Sequence, residues 1–303
     1  MENSRHGASE GEHLPLMAKK KSATRNSTLK RYLNAQIDTR RADVVLIICF
    51  FISGLTDAGA YNAWRIFLSM QTGNTIFTAL GLSNLPHGTT KIQLLKSLTA
   101  ILAFLFGALF FSTLHRTNTP RKRWVLILSF SIQVTLVIAS AALIHSGNAR
   151  DDSPKKPVRT LPDHPRVERG LSVRDGVGVE SLWAKRYPWD LLPIGLLSFQ
   201  AAGKVVASRV LQHTQLPTVV ISVLYTDLVS DPSFFSGGLF GNTPRNRRIG
   251  GAVCYFAGAV LGGVFASSRY GFAGALWVAA LVNGGIILGW FVWSENKVEE
   301  TGD

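Results

Sequence analysis

Residues 42–60 read ADVVLIICFFISGLTDAGA. The run is apolar almost throughout and free of proline, and as a helix it covers most of the roughly 30 Å hydrocarbon core of a bilayer. One carboxylate interrupts it. Asp57 lies 14 residues after Asp43, about 21 Å along a helix, where an ionised group is expensive unless it is paired or faces water. Working outward, further apolar runs cover about 66–85, 97–115, 124–144, 190–211, 218–230, 249–266 and 271–293. The 207 residues outside 1–41, 145–189 and 294–303 hold only 18 charged side chains. Soluble domains average about 25% charged. The composition therefore predicts an all-α, polytopic membrane bundle of about eight transmembrane helices.

The expected organisation is a disordered basic cytoplasmic tail (1–41), a first transmembrane half (42–145) and a flexible charged loop (146–189). A second transmembrane half (190–293) and a short cytoplasmic tail (294–303) follow. The first 41 residues lack an early apolar stretch, so they do not read as a secretory signal. Two cysteines, Cys49 and Cys254, both in apolar runs, cannot build a disulfide scaffold. The net charge of +13 is concentrated beside apolar runs, which is a topology signal rather than a nucleic-acid footprint. With eight spans and the N-terminus inside, 24 basic residues fall on the cytoplasmic side and 7 outside. Both termini are then cytoplasmic. The segment Arg116, Arg121, Lys122, Arg123 is the one that runs against this rule.

The first two apolar runs share a layout with the fifth and sixth. A shift of 144 residues lays Thr56 over Gln200, Gly59 over Gly203, Arg65 over Arg209 and Asn74 over Thr218. Four spans between the units would give both halves the same orientation, the parallel-repeat plan of some transporters. In the seventh run Gly258, Gly262 and Gly263 with Ala259 and Ala266 form a small-residue face. Such a face serves close helix packing or a sliding interface.

The segments SGLTDAGAY, MQTGNT, SFQAAGK and TVVISVLYTDL resemble the YoaK-like family of small polytopic membrane proteins. That family carries a Gly-x-x-Asp-Ala element, a Thr-Gly-Asn element, a Gln-Asn-Ala-like element and a stretch leading to Thr-Asp-Leu. Gly54, Asp57, Thr72, Gly73, Asn74, Gln200, Thr226 and Asp227 match. The chain departs at Ala201–Ala202 and Ile221–Ser222, and Lys204 adds a polar group near the first departure. The resemblance covers about 42–143 and 190–293, and implies a family of unknown function with small-molecule transport suspected.

Membrane physics singles out the same residues. Asp57 and Lys204 each lie 14 residues into their runs, so equal depth and opposite sign suggest that they pair across the repeat interface. Asp227, nine residues into the sixth run, is either a proton- or cation-coupling carboxylate near the midplane or, if that run ends early, a cytoplasmic one. The Thr72-Gly73-Asn74 segment suits an unwound helix that meets a substrate, or a kink with interhelical hydrogen bonds. The expected substrate-binding set is Asp57, Thr72, Gly73, Asn74, Gln200 and Lys204, with coupling through Asp57 or Asp227. No His/Cys metal spacing, nucleotide-binding loop or nucleophile elbow occurs, so no catalytic residue, metal or cofactor is expected. The leading expectation is a secondary transporter of a small, polar or anionic solute, not an enzyme. Its partners are the lipid bilayer, that solute and, as an open option, a second copy in a homo-oligomer. The alternative is a non-transporting scaffold or assembly partner of a membrane pathway.

Overall fold

A computed structural model describes residues 29–83, 90–147, 149, 176–213, 216, 221–235 and 238–295, with side chains of the 176–210 helix described from Trp189 onward. The expectations for residues 1–28, for most of the 146–189 loop, for Thr218 and for 296–303 lie outside these residues. The described chain is all-helical, with two isolated β-bridges and no strand. After a helical stretch at 29–34, its helices are α1 (Asp43–Trp64), α2 (Gln71–Leu82), α3 (Lys91–Thr117), α4 (Arg123–His145), α5 (Gly176–Val210), α6 (Ile221–Val229), α7 (Gly238–Gly241), α8 (Thr243–Ala266) and α9 (Gly271–Val292).

Six of these, α1, α3, α4, the Trp189–Val210 part of α5, α8 and α9, are long and apolar enough to cross a membrane. Eight were expected. The two that fall short are α2, with 12 residues, and α6, with 9. Contacts at the two ends of the bundle show why neither crosses. Gln93, at the start of α3, donates to the carbonyl of Arg65, just past α1, at 2.9 Å, and Lys96 faces Asp190 at 3.9 Å. The chain therefore leaves α1 and enters α3 at one end, and α5 begins its apolar part there too. At the opposite end Arg247 pairs with Asp43 at 2.8 Å and His213 lies 2.9 Å from the Thr39 carbonyl. So α5 ends and α8 begins on the side where α1 began. Both short helices return to the face from which their segments entered.

This second end is fastened by a clasp. Ile37 donates its N–H to Arg121 at 3.1 Å and Asp38 to Ser294 at 3.0 Å, so residues 36–38 lie between the α3–α4 turn and the C-terminal end of α9. Arg123 is fully buried there. It donates to the carbonyls of Trp293 (2.6 Å) and Tyr32 (3.0 Å), lies 3.8 Å from the Tyr32 ring centre, and faces Glu295 at 3.3 Å. The basic segment that ran against the topology rule thus sits beside residues 32–38 and 293–295, because α2 does not cross.

α1 packs most extensively on α8, α3 on α5, and α4 on α9, with further contacts of α4 with α5 and α1 with α9. Glycine sets the closest approaches: a Cβ on Gly54 would lie 2.1 Å from the Tyr255 carbonyl oxygen, and one on Gly258 2.1 Å from that of Phe51. The glycine face of α8 is thus backbone-on-backbone packing at Gly258 and Gly262, whereas Gly263 meets nothing within 4 Å. Gly107 plays the same part against Phe199 between α3 and α5. α1 and α5 are the most enclosed helices, while α3 and α8 expose most of their surface. Phe106, Leu109, Phe256 and Val260 are more than half exposed, an apolar belt suited to lipid. The protein is a multi-pass integral membrane protein in contact with the bilayer.

Candidate functional site

α1 stops at Arg65, a non-glycine residue in the left-handed region (φ 59°) whose N–H bonds back to Tyr61. The chain then dips into the bundle. Asp57, 1% exposed, accepts the backbone N–H groups of Leu68 and Ser69 at 2.8 and 2.9 Å, and its second oxygen takes the Ser69 hydroxyl. Tyr255 Oη lies 3.5 Å from that same carboxylate and 3.7 Å from Met70 Sδ. Asp57 is seven residues before the end of α1, so the loop reaches about 10 Å below that end. Asn74, fully buried, closes the other side. Its Oδ1 accepts from Phe67 N–H at 3.0 Å, and its Nδ2 donates to the Phe67 carbonyl (2.6 Å) and Gln71 Oε1 (2.9 Å). Gly73 lets the Phe67 ring lie on the first turn of α2, where a Cβ would come within 2.8 Å of it. Non-helical backbone at membrane depth must have its polar groups satisfied, and Asp57 and Asn74 supply that here. Their roles are local: they hold the 66–70 loop. Thr72, between them in sequence, is exposed.

Lys204 does not join this pair. α1 and α5 run antiparallel, so the equal depth inferred from counting both runs from the same side fails. Lys204 lies six residues before the end of α5, about 9 Å from the clasp end, level with Cys49 of α1. It lies within electrostatic range of Cys49 and Asp57. Its Nζ is fully buried and has no hydrogen-bond partner among the described residues.

Gln200, one turn earlier on the same face of α5, is also fully buried, and both of its amide atoms lack partners. So do both amide atoms of Gln133 in α4. Gln133 abuts α5 beside Lys204, where a Cβ on Gly203 would come within 2.8 Å of its Nε2. The hydroxyl of Ser53 in α1 and the Oδ1 of Asn283 in α9 are likewise buried and unpartnered. Counted along their helices, these groups fall about 9–15 Å from the clasp end. They form one polar layer across α1, α4, α5 and α9. Buried polar atoms are normally hydrogen-bonded, to protein, to water or to a ligand.

Asp227 belongs to neither group. α6 ends soon after it, and it is partly exposed, near the clasp end. Four residues on, Asp231 accepts from Ser233 and Asn242 and faces Arg248 at 3.5 Å. These bonds hold its carboxyl below the usual carboxylate range, with Ser233 and Asn242 as the main causes. A recess of about 330 Å³ opens at the far end, lined by Asn62, Trp64, Arg65, Thr90, Gln93 and Lys96 among others. Among the described residues no three His, Cys, Asp or Glu side chains gather as a metal site would require.

Gln200 and Lys204 are among the residues expected from the sequence, whereas Gln133, Ser53 and Asn283 are not. The signal was available: a single amide in SFSIQVTL or AALVNGGII is costly in lipid for the same reason as a charge, only less so.

No curated protein and no solved structure matches the chain. A family model described as "Protein of unknown function (DUF1275)" matches residues 45–289, which runs from the start of α1 to near the end of α9 and agrees with the YoaK-like resemblance. The chain belongs to the DUF1275 family.

Proposed function

We propose that the protein is a secondary carrier for a small solute, which it moves without chemically altering it. The observation that carries this reading is the layer of buried, unpartnered polar groups around Lys204, Gln200 and Gln133. A dry structural core would leave such groups paired or replace them with apolar ones.

The architecture supports the same reading. With the one-turn α7 and its contact to α8 left out, long–short–long–long occurs twice along the chain. Exchanging α1 with α5, α2 with α6, α3 with α8 and α4 with α9 maps the set of packing pairs onto itself. We read this as an inverted repeat in place of the parallel one expected from eight spans. Three crossing helices in each half would put the halves in opposite orientations, with an axis through the α1–α5 and α4–α9 contacts. Carriers of this plan place their substrate near the middle of the membrane at the repeat interface, beside interrupted helices. The polar layer lies on those four helices.

The orientation we propose puts the clasp end in the cytoplasm. Outside the 146–189 loop that end holds twelve described basic residues, whereas the far end holds Arg65, Lys91, Lys96 and Arg269, and lysine and arginine favour the cytoplasmic side. The scaffold alternative draws its support from Asp57 and Asn74, which are satisfied by the loop that they hold.

Untargeted metabolite uptake decides between the two. Vesicles reconstituted with the full chain are expected to accumulate at least one solute that protein-free vesicles do not. Equal contents in both would overturn the carrier reading.

A further inference from the structure

We propose that the polar layer binds a small oxygen-bearing monoanion, a short carboxylate or an inorganic oxyanion, with Lys204 as its countercharge and the amides of Gln200 and Gln133 as hydrogen-bond donors. The inference rests on the carrier reading and names the substrate class of that site.

The argument is one of charge and donors. Among the described side chains the carboxylates of the bundle are engaged, except Asp227, which is partly exposed on α6. Asp43 holds Arg247, Asp190 faces Lys96, Asp231 faces Arg248 and Glu295 faces Arg123. Asp57, the acid nearest Lys204, spends both oxygens on the 68–69 loop. Lys204, with no solvent exposure, is left without an acceptor. A lysine in such a place either loses its proton or takes an anion, and its neighbours favour the second. Gln200 and Gln133 bring four N–H donors between them, all without partners, and Lys204 adds three. A convergence of donors around one cation matches an oxyanion, whose bonds to charged donors are the short, strong kind. The absence of glycine's side chain at Gly203 is what lets Gln133 approach α5 next to Lys204. With Lys204 as the single cation among the residues of this layer, the match is to one negative charge.

The test is a binding measurement, independent of transport. Purified full-length protein is heated in the presence of sodium acetate, sodium nitrate or sodium phosphate, with sodium chloride holding the ionic strength constant and choline chloride as the cation control. The wild type is expected to show a saturable upward shift of its melting temperature with at least one oxyanion. The carboxylate and inorganic arms separate the two sources of that chemistry. Lys204→Met is expected to lose the shift, Lys204→Arg to retain it, and Gln200→Leu to weaken the apparent affinity roughly tenfold, as loss of one hydrogen bond to a charged group does.

Size-exclusion profiles identical to wild type establish that the variants fold. Should Lys204→Met fail to fold, the Lys204→Arg and Gln200→Leu titrations stand in its place. No saturable shift with any oxyanion, or an equal shift in Lys204→Met, overturns the proposal. The two readings fail separately. Saturable binding without uptake would sink the carrier and keep the anion site. Uptake of a cation or neutral solute, undiminished in Lys204→Met, would sink the anion site and keep the carrier.

Discussion

Asp57 accepts the backbone N–H of Ser69 at 2.9 Å, twelve residues further along the chain. With the Leu68 N–H at 2.8 Å on the same oxygen, this contact turns the chain back into the bundle after α1. Asp57→Asn keeps one acceptor but removes the charge that strengthens all of these bonds. A loss of about 2–3 kcal/mol is expected, read as a lower melting temperature of the purified protein. Unchanged thermal stability would mean that the carboxylate does not hold the loop.

Close helix contact on α1 and α8 makes opposite expectations for chemically identical substitutions. Gly258→Ala would set a methyl 2.1 Å from a backbone oxygen, which cannot swing aside, whereas Gly263→Ala meets nothing within 4 Å. The first is expected to abolish monodisperse expression. The second should be neutral or stabilise by up to about 1 kcal/mol, since alanine is the better helix former. Comparable behaviour of the two in fluorescence-detected size exclusion would contradict the packing described here.

Six crossings and eight differ in which loops share a face. Single cysteines are introduced at Ser83, Asn118, Ser267 and Ser294 in a background with Cys49 and Cys254 replaced by serine. Labelling with a membrane-impermeant maleimide is expected to place Ser83 and Ser267 on one face, and Asn118 and Ser294 on the other. Ser83 with Ser294 on one face and Asn118 with Ser267 on the other would restore α2 and α6 as crossing helices.

The clasp at the other end depends on Arg123, whose guanidinium serves two carbonyls, one ring and one carboxylate. Lysine cannot reproduce that planar set of donors. Arg123→Lys is expected to cost about 2–3 kcal/mol. Glu295→Gln should cost less than about 1 kcal/mol, because the Glu295 side chain is 49% exposed. Chemical denaturation of both variants ranks them, and the reverse order would remove Arg123 from the centre of the clasp.

Acid should loosen the turn before α8. The Asp231 carboxyl is held below its usual range by Ser233 and Asn242, so folding favours its ionised form. The stability that it contributes is complete at neutral pH and is lost as pH falls from the ordinary carboxylate range through the depressed value. Asp231→Asn is expected to be less stable at neutral pH and to show a smaller acid-dependent loss. A wild-type acid dependence retained in full by Asp231→Asn would assign the effect to other groups.

Much of the fold was legible because apolar length is a strong signal for a crossing helix, and six of the apolar runs behave that way. The runs at 66–85 and 218–230 misled for a tertiary reason. Nothing local to IFLSMQTGNTIF records that Asp57, a helix away, captures the amides of Leu68 and Ser69. One clue did exist in the sequence. The basic segment Arg116–Arg123 violated the charge rule under eight spans, and it falls into place once α2 is withdrawn as a crossing.

The site was legible in part for related reasons. Gln200 and Lys204 stood out as polar groups in an apolar run, and both are buried without partners. The Asp57–Lys204 pairing failed because depth was counted from the same end for two helices that run in opposite directions. Gln133 and Asn283 carry a weaker signal than a charge, yet a buried amide without a partner also carries a penalty of a few kcal/mol.

In the proposed carrier, the layer around Lys204 is where the solute sits during transport. The most direct test of this claim is accumulation of the solute identified by untargeted uptake, measured side by side in vesicles carrying wild type or Lys204→Met at matched levels of folded protein. Wild type is expected to accumulate it, and Lys204→Met to fall to the level of protein-free vesicles. Accumulation by Lys204→Met at the wild-type rate and affinity would place the solute elsewhere and contradict the claim.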